Sequence, residues 1–433
     1  MKTMKTVLTL TLPGVLLLSA ASAIAADWPN WRGPFYNGSS DTTNLPDTLT
    51  PAAAAWSLAL PGPAASTPAI AGGNVFLTST DKDSDALIAF CLNAADGSIV
   101  WQKTLTHSDE RFNRNTPATS SPVVDERHVY FLFGNGEWVC LTHEGTEVWR
   151  RNIVADYGPL AYLFGFGSSP LLLDKTLYLP VLRRETIYRG PKNETPLASY
   201  LLAVHADTGK TVFYRERPSD AVDETTNSYI TPVSAVVNGT AWIVLFGADY
   251  LTGHDPQTGR EVFRHQYDAA KNPRARNIPT PIVDGTRLYA AMPRGTAGAA
   301  FDLTDPNSPL RWTTDAQGPD ASSPALYKGH FYMVEDRTKM LVCVDAKTGD
   351  VRWKGALDKS AMYFAAVTAA DDKLYTISEG GALNVVAADP GAFRLLSTTA
   401  FGQGPVYSTI AVADGRLFVR TAQTLYCFQT PSR

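Results

Sequence analysis

A short turn motif recurs along this chain and constrains its fold more than any other feature. In its clearest copy, LVCVDAKTGDVRWK at residues 341–354, a polar turn separates two apolar stretches, and the second stretch ends in an aromatic residue and a lysine. The copies close on an aromatic residue at Trp101, Trp149, Phe213, Phe263, Trp312 and Trp353, and a weaker copy ends near Leu396. Their spacing of about 50 residues is typical of β-propeller blades. Since a catalytic motif would usually occur once, we interpret this motif as structural.

A second pattern alternates with the turn motif. It consists of Ser/Thr-Pro, an apolar strand, a polar turn and another strand, and two of its copies lack the proline. The eight copies begin at Ser66, Ser120, Ser168, Thr231, Thr280, Ser322, Ala365 and Ser408. Short β-branched and aromatic runs bounded by turn residues indicate hairpins, and helical periodicity is nowhere sustained. The sequence therefore predicts an all-β fold, an eight-bladed β-propeller of four-stranded antiparallel blades.

The two ends of the repeat array are complementary. The eighth unit stops at Phe428 after three strands, whereas AAAAWSLAL near the N-terminus supplies one strand, with Trp56 in the place of the closing aromatic residue. We therefore predict that the N-terminal strand completes the last blade and closes the ring, which leaves no blade incomplete. A linear solenoid would have no reason to divide a repeat in this way.

The first residues of the chain differ from the repeats. Lys2 and Lys5 precede an apolar run, and Ala23-Ile24-Ala25 fits the small-residue cleavage pattern of a secretory signal. An uncleaved membrane anchor is the alternative. No cysteine lies near the cleavage site, so we expect no lipid anchor, and no later segment is long and apolar enough to span a bilayer.

These features give a simple domain plan. We predict a signal peptide over residues 1–26 and a single propeller over 27–433, whose N-terminal lead-in covers 27–50. The protein is then expected in the periplasm or outside the cell. The net charge of −4 lacks the basic balance of nucleic-acid-binding proteins, so we expect no binding to nucleic acid. We further expect a monomer that has a protein partner in the cell envelope.

The four cysteines share one position in the repeat. Cys91, Cys140, Cys343 and Cys427 all lie in the third strand of different units. Equivalent strands of neighbouring blades are too far apart for a disulfide, which needs Cα atoms within about 7 Å. We therefore predict buried free thiols that act as small apolar side chains. A disulfide or a zinc site is the alternative, although the sequence has no Cys-x-x-Cys spacing.

Two kinds of irregular loop should share one face of the propeller, namely the loops between the second and third strands and those that lead to the next blade. These loops mix arginine with aromatic residues, which protein contact surfaces favour. The candidate partner-binding residues are Arg111, Arg114, Tyr157, Phe164, Arg183, Arg184, Arg276 and Tyr363. In the alternative interpretation, these loops simply pack on one another and cover the mouth of the channel.

Catalytic motifs are not found. The sequence contains no G-x-S-x-G elbow, no H-E-x-x-H and no P-loop. Asp81, Asp83 and Asp85 imitate the start of a calcium loop, but Ala86 replaces the required glycine and Leu92 the required glutamate. We therefore assign no catalytic, cofactor-binding or metal-binding residue.

The Ser-Pro strands and the VDAKTGDVRW turns together resemble the PQQ-like, quinoprotein-type propeller repeat over residues 28–428. The stretch DWPNWRGPFYNG followed by such blades is similar to secreted PQQ-binding-like propeller proteins of planctomycete-type bacteria, and the fold is similar to that of BamB. Quinoprotein dehydrogenases add a disulfide between adjacent cysteines, a tryptophan floor and a calcium-bound cofactor at the channel mouth. This chain has no adjacent cysteines.

The resemblance and the residues together lead to a functional expectation. We expect a non-catalytic scaffold that binds a protein or other partner through its irregular loop face. A PQQ-dependent oxidoreductase, or a propeller acting on a sugar or another small polar ligand, is the alternative. No cofactor is expected, and PQQ enters by analogy of fold alone.

Overall fold

The computed structural model describes residues 27–187, 194–307 and 309–430. The predicted signal peptide at 1–26 lies outside them. Within these ranges one short α-helix, α1 (Ile153–Tyr157), and three single-turn 3-10 helices accompany the strands; the 3-10 helices are Pro51–Ala53, Asp223–Thr226 and Pro293–Gly295. No helix in the described part of the chain is long and apolar enough to cross a bilayer.

The strands of these ranges form eight four-stranded antiparallel sheets. In chain order they are β1 (Trp56–Ala59), β2 (Ala69–Ala71), β3 (Asn74–Asp81), β4 (Ala86–Asn93), β5 (Ile99–His107), β6 (Val123–Val124), β7 (His128–Leu132), β8 (Glu137–Thr142), β9 (Glu147–Asn152), β10 (Leu171–Leu173), β11 (Thr176–Val181), β12 (Tyr200–His205), β13 (Thr211–Glu216), β14 (Val233–Val237), β15 (Thr240–Gly247), β16 (Tyr250–His254), β17 (Glu261–Gln266), β18 (Ile282–Asp284), β19 (Arg287–Ala291), β20 (Gly298–Asp302), β21 (Leu310–Thr313), β22 (Ala325–Tyr327), β23 (His330–Glu335), β24 (Met340–Asp345), β25 (Val351–Ala356), β26 (Thr368–Ala370), β27 (Lys373–Ile377), β28 (Ala382–Ala387), β29 (Leu395–Ala400), β30 (Ala411–Ala413), β31 (Arg416–Arg420) and β32 (Thr424–Gln429).

Each sheet is one blade of a propeller, as predicted. Blade 1 consists of β2–β5, each following blade takes the next four strands, and blade 8 consists of β30–β32 and β1. We call the face that carries the turns between the first and second, and between the third and fourth, strands of each blade the turn face. The opposite face carries the loops between second and third strands and the loops between blades, and we call it the loop face.

The predicted ring closure is confirmed. Trp56 of β1 lies opposite Cys427 of β32, and the pairing continues to Ala59 opposite Thr424. The N-terminal strand is therefore the outer strand of blade 8. The backbone N–H of Thr409 also donates to the hydroxyl of Thr67 at 3.1 Å, which links blade 8 to blade 1 on the inner side of the ring.

Where a blade closes on a tryptophan, that residue joins it to the next blade, which explains the recurrent turn motif. The indole Nε1 of Trp312 donates to the carbonyl of Ala346 in blade 6 at 3.2 Å. In the same turn, Gly349 has φ +84°, and a Cβ at this position would lie 2.7 Å from the Trp312 ring. The glycine thus provides the positive φ of the turn and the space that the neighbouring blade's indole occupies. Asp345 stabilises the turn by accepting from the N–H of Lys347 at 2.9 Å.

The same contact recurs around the ring. Trp56, Trp101, Trp149 and Trp353 each donate to a backbone carbonyl of the following blade. The acceptors are Ala94, His143, Ala206 and Asp389, respectively. The interpretation of the turn motif as structural is therefore confirmed.

The cysteine position follows from the same geometry. Cys91, Cys140 and Cys343 lie directly opposite the closing tryptophan of their own blade, and a register shift follows each of them. All four cysteines of the sequence are free and buried, as predicted. Because a large indole covers this position, the strand needs a small side chain there, and other blades use alanine or glycine.

The lead-in crosses the turn-face end of the channel. Trp28 exchanges two backbone hydrogen bonds with Ile70 of blade 1, at 2.9 and 2.8 Å. Further along, the carbonyl of Asn37 accepts from Leu326 of blade 6, and that of Gly38 accepts from Ala369 of blade 7. Since blades 1 and 6 lie on different sides of the ring, the segment between them spans the channel and closes it at this end.

Candidate functional site

The loop face has a cavity at its centre, which we call the mouth cavity. It encloses about 190 Å³ and is lined by residues from the lead-in and from loops of most blades. Trp31 of the lead-in is part of the lining, and its Nε1 donates to the hydroxyl of Thr231 at 2.9 Å. The adjacent Arg32 is fully buried, and its guanidinium lies 5.1 Å from the Trp31 ring centroid. The lead-in therefore makes the channel a blind cavity that opens on the loop face.

Hydroxyl groups from successive inner strands surround this cavity. The N–H of Ala366 donates to Thr409 Oγ1, that of Thr67 to Ser121 Oγ and that of Ser121 to Ser169 Oγ, at 3.1, 2.9 and 2.9 Å. With the Thr409–Thr67 bond of the ring closure, these contacts form one continuous arc. In these four copies of the pattern the second residue, Thr67, Ser121, Ser169 or Thr409, thus bonds its blade to a neighbouring one, which gives this polar position a structural role.

The hydroxyl protons of these residues form no hydrogen bond within the described part of the chain. Thr67, Ser121, Ser169, Ser323 and Thr409 all line the mouth cavity. Each hydroxyl oxygen accepts from a backbone N–H, and none donates to another described residue. A hydroxyl has one proton to donate, so five O–H donors are available at the cavity wall.

Aromatic side chains form the upper wall. Phe164, Tyr229, Phe364 and Tyr407 line the cavity and are each half-buried. The hydroxyl of Tyr407 donates to Glu379 at 3.0 Å. Burial, and to a lesser extent the Glu379 carboxylate, raises the pKa of Tyr407. The rim is therefore apolar above and rich in hydroxyl groups below.

Two arginines stand over these rings. The Arg276 guanidinium lies 5.1 Å from the centroid of Phe164 and forms ion pairs of 3.0 Å with Glu224 and with Asp320. Arg114 lies over Phe364 at 6.0 Å. Arg114 is exposed and has no ion pair among the described residues. Its backbone lies in the left-handed region, with φ +66°.

The acidic side of the cavity is largely neutralised. Asp320 is the carboxylate of the lining, and Arg276 holds one of its oxygens. Asp336 lies behind it, accepts from the backbone N–H of Asp320, and is 5% exposed. Burial raises the pKa of Asp336 to about 6, and the neighbouring Asp320 contributes to that increase.

Three of the sequence candidates meet at the mouth cavity. Arg114, Phe164 and Arg276 line it. Arg111 is exposed and pairs with Asp85, and it lines a second groove of about 240 Å³. That groove shares Arg114, Asn115 and Tyr407 with the mouth cavity, so the two depressions are neighbours on the loop face.

Two other candidates, Arg183 and Tyr363, are buried, although the sequence suggested that they lie on the surface. Arg183 is 3% exposed, and its guanidinium donates to the carbonyls of Tyr157, Gly158, Pro159 and Ala198. It therefore holds the loop after α1 in place and is not available to a partner.

Tyr363 is likewise 1% exposed, with its hydroxyl bonded to the carbonyl of Asp358 and to Asn384. Tyr157 stacks on Tyr214 at 4.9 Å, and Arg184 pairs with Asp223. These four residues support the loops rather than the cavity. Whether the loop face binds a partner stays a prediction.

Sequence reasoning missed Trp31, Tyr229, Phe364 and Tyr407. Each occurs once, outside the repeated motifs, and Trp31 lies in a segment treated only as a lead-in. Tyr229, Phe364 and Tyr407 each stand just before a copy of the Ser/Thr-Pro pattern, which was the available signal. Nothing in the sequence showed that these side chains would face one cavity.

Comparison with known proteins supports the architecture. The family model described as outer membrane protein assembly factor BamB matches residues 50–159 and 92–355. No curated protein matches the sequence.

Solved structures share the fold at low sequence identity. BamB from Moraxella catarrhalis has a TM-score of 0.63 and 14% identity, with 86% of this chain and 98% of that chain covered. A europium-containing methanol dehydrogenase has a TM-score of 0.68 and 11% identity, with 92% and 90% covered. Quinohemoprotein alcohol dehydrogenase from Comamonas testosteroni has a TM-score of 0.68 and 14% identity, with 96% and 82% covered. At these identities the likenesses establish the fold alone.

The residues of the mouth cavity do not fit a calcium-bound quinone. Trp31 offers an aromatic floor, but the sequence has no adjacent cysteines. In the described ranges no three His, Cys, Asp or Glu side chains lie together in a way that could hold a metal ion. The lining carboxylate, Asp320, is already bonded to Arg276. Asp320 is thus the single carboxylate that the lining offers to a calcium ion, whereas calcium sites combine several carboxylate and carbonyl oxygens.

Proposed function

Since the chain belongs to the family of the outer membrane protein assembly factor BamB, we propose that it is a non-catalytic scaffold of the cell envelope that binds a partner protein through its loop face. The observation that carries this proposal is the rim of the mouth cavity. There Phe164, Tyr229, Phe364 and Tyr407 present partly exposed rings beside Arg114. Aromatic and arginine side chains around a central depression are typical of the residues that dominate binding at protein interfaces.

The chemistry of the lining supports binding rather than catalysis. Nucleophilic catalysis needs a hydroxyl or thiol beside a general base. The lining contains no histidine, and its Ser and Thr hydroxyls accept from backbone N–H groups. Glycoside hydrolysis usually needs two facing carboxylates, and the lining offers Asp320 alone.

The proposal is tested by capture from native envelope extract. The immobilised chain lacking residues 1–26 is compared with its Phe364→Ala variant. We expect the variant to capture the partner at least about tenfold less well, since a central aromatic anchor contributes about 2 kcal/mol or more. The readout is the amount of each retained protein, measured by quantitative mass spectrometry.

Phe35→Ala is the matched control. Phe35 is also aromatic and is 48% exposed, but it belongs to the lead-in at the turn-face end of the ring. A partner whose capture depends on Phe364 and not on Phe35 supports the proposal. Equal losses in both variants, or no loss in either, would contradict it.

A further inference from the structure

The electrostatic character of the mouth cavity opposes that of the chain as a whole. The sequence carries a net charge of −4. The charged side chains of the lining are Arg114, Arg276 and Asp320. Arg276 is already paired with two carboxylates, so Arg114 supplies the cationic group that has no ion pair in the described chain. A local positive site in an acidic protein favours a negatively charged group there.

The donors beneath Arg114 fit an acceptor-rich group. The inner strands nearest to its loop belong to blades 1, 2 and 8, and they contribute Thr67, Ser121 and Thr409. Their oxygens accept from backbone N–H groups, and each hydroxyl keeps a proton that it can donate to a group in the cavity. Hydrogen bonds to an ionised acceptor are stronger than those to a neutral one.

Hydrogen bonds of Asn115 anchor the loop that carries Arg114. Asn115 donates to the carbonyl of Phe164 at 2.8 Å and accepts from the N–H of Thr116 at 2.9 Å. These contacts hold Arg114 in the left-handed region at φ +66°, which costs a non-glycine residue on the order of 1 kcal/mol or more. The chain thus maintains a strained backbone at the residue that presents the guanidinium to the cavity.

We propose that the mouth cavity binds a carboxylate of the partner protein, with Arg114 and the hydroxyls of Thr67, Ser121 and Thr409 as the recognising groups. Among the groups of an unmodified protein, carboxylates alone combine a negative charge with several acceptor lone pairs. The source is either the C-terminus or an acidic side chain. The inference rests on the proposed partner-binding function and specifies the chemistry of its central contact.

Small carboxylates test this inference on the purified chain by isothermal titration calorimetry at low salt. The probes are N-acetylphenylalanine, its amide and the α-amide of N-acetylglutamate. We expect at least one free carboxylate to bind with Kd of about 1 mM, as its size allows, and the phenylalanine amide to bind at least about tenfold more weakly. Binding of the first acid indicates a chain terminus as the source, and binding of the glutamate amide indicates an acidic side chain.

Two variants locate the contact. Arg114→Gln should weaken binding of the acid about tenfold, whereas Arg274→Gln, which removes the same charge from an exposed loop-face residue outside the cavity lining, should leave the Kd unchanged. Arg114→Gly is the second variant, because glycine accepts the positive φ and the fold should survive. Equal affinity for acid and amide, no binding of either carboxylate at 10-fold the expected Kd, or equal effects of the two glutamine variants would overturn the inference.

The outcome is separable from that of the capture experiment. Should the probes fail while capture depends on Phe364, the carboxylate inference falls and the scaffold function stands. Should a carboxylate bind while no partner is captured through the loop face, the scaffold function falls and the cavity is a small-ligand site.

Discussion

On the turn face one contact recurs in blades 1, 2, 3 and 6, in which an indole from the preceding blade lies on a turn glycine and donates to a backbone carbonyl. The loops of the loop face differ from blade to blade, and single residues such as Trp31, Phe364 and Tyr407 converge on one cavity. Individual carboxyl groups illustrate the two environments. Turn amides and hydroxyls lower the pKa of Asp255 and Asp96 on the turn face, whereas burial raises that of Asp336 on the loop face. The repeated face is optimised for stability, and the other face retains groups in unfavourable surroundings.

The largest expected effect comes from removing one indole of the turn face. Trp149 is 8% exposed, and its Nε1 donates to Ala206 at 2.6 Å. We expect Trp149→Ala to lower the free energy of unfolding by about 4 kcal/mol, because a buried aromatic side chain and its hydrogen bond are lost. Phe364→Ala, in the half-buried wall of the mouth cavity, should cost only about 1 kcal/mol. Denaturant unfolding of both variants checks the difference, and equal losses would show that the two faces contribute alike.

A pair of glycines in blade 6 separates the two demands of the turn motif. Gly349 (φ +84°) faces the Trp312 ring, whereas Gly329 (φ +76°) has open space where a Cβ would lie. We expect Gly349→Ala to cost about 2 to 3 kcal/mol and Gly329→Ala about 1 kcal/mol, since both strain the backbone and only the first displaces an indole. The measurement is again the free energy of unfolding. If Gly329→Ala cost as much, the indole contact would not be the reason for the repeated glycine.

The smallest expected effect is a gain in stability on the loop face. Asp249, in the turn between β15 and β16, is fully buried, and neither carboxylate oxygen has a hydrogen-bond partner in the described chain. Burial, followed by the charges of Asp268 and Asp220, raises its pKa from 3.8 to about 6. The folded state therefore holds this proton more tightly than the unfolded state, and stability decreases as the pH rises from about 4 to 6.

Asp249→Asn should remove that loss. We expect a gain of about 1 to 2 kcal/mol at pH 8, which is less than the full linkage of about 3 kcal/mol because the amide is also polar and buried. The gain should disappear near pH 4, where the wild-type carboxyl is protonated. Unfolding curves at both pH values check this, and a gain that is the same at both would exclude ionisation of Asp249 as its cause.

The comparison of faces also explains what the sequence could predict. The blade number, the role of the closing tryptophans, the buried cysteines and the pairing of Trp56 with the last blade follow from a pattern seen many times over. The cavity residues occur once each, and ring closure brings Trp31 beside Tyr407 from opposite ends of the chain. Arg183 looked like a surface residue because nothing local shows that the carbonyls after α1 turn towards it. Long-range placement of unrepeated residues has no local signature.

The pairing of Trp56 with Cys427 also has a kinetic consequence. Strand β1 is synthesised first but cannot pair until β32, the last strand, has been made. Blade 8 and the lead-in across the channel must therefore assemble late. Such distant pairing slows folding and leaves an unpaired strand edge exposed for the whole time of synthesis, which invites aggregation. A shortened chain that ends before β32 would keep most of its blades but would lack the β1–β32 pairing that closes the ring.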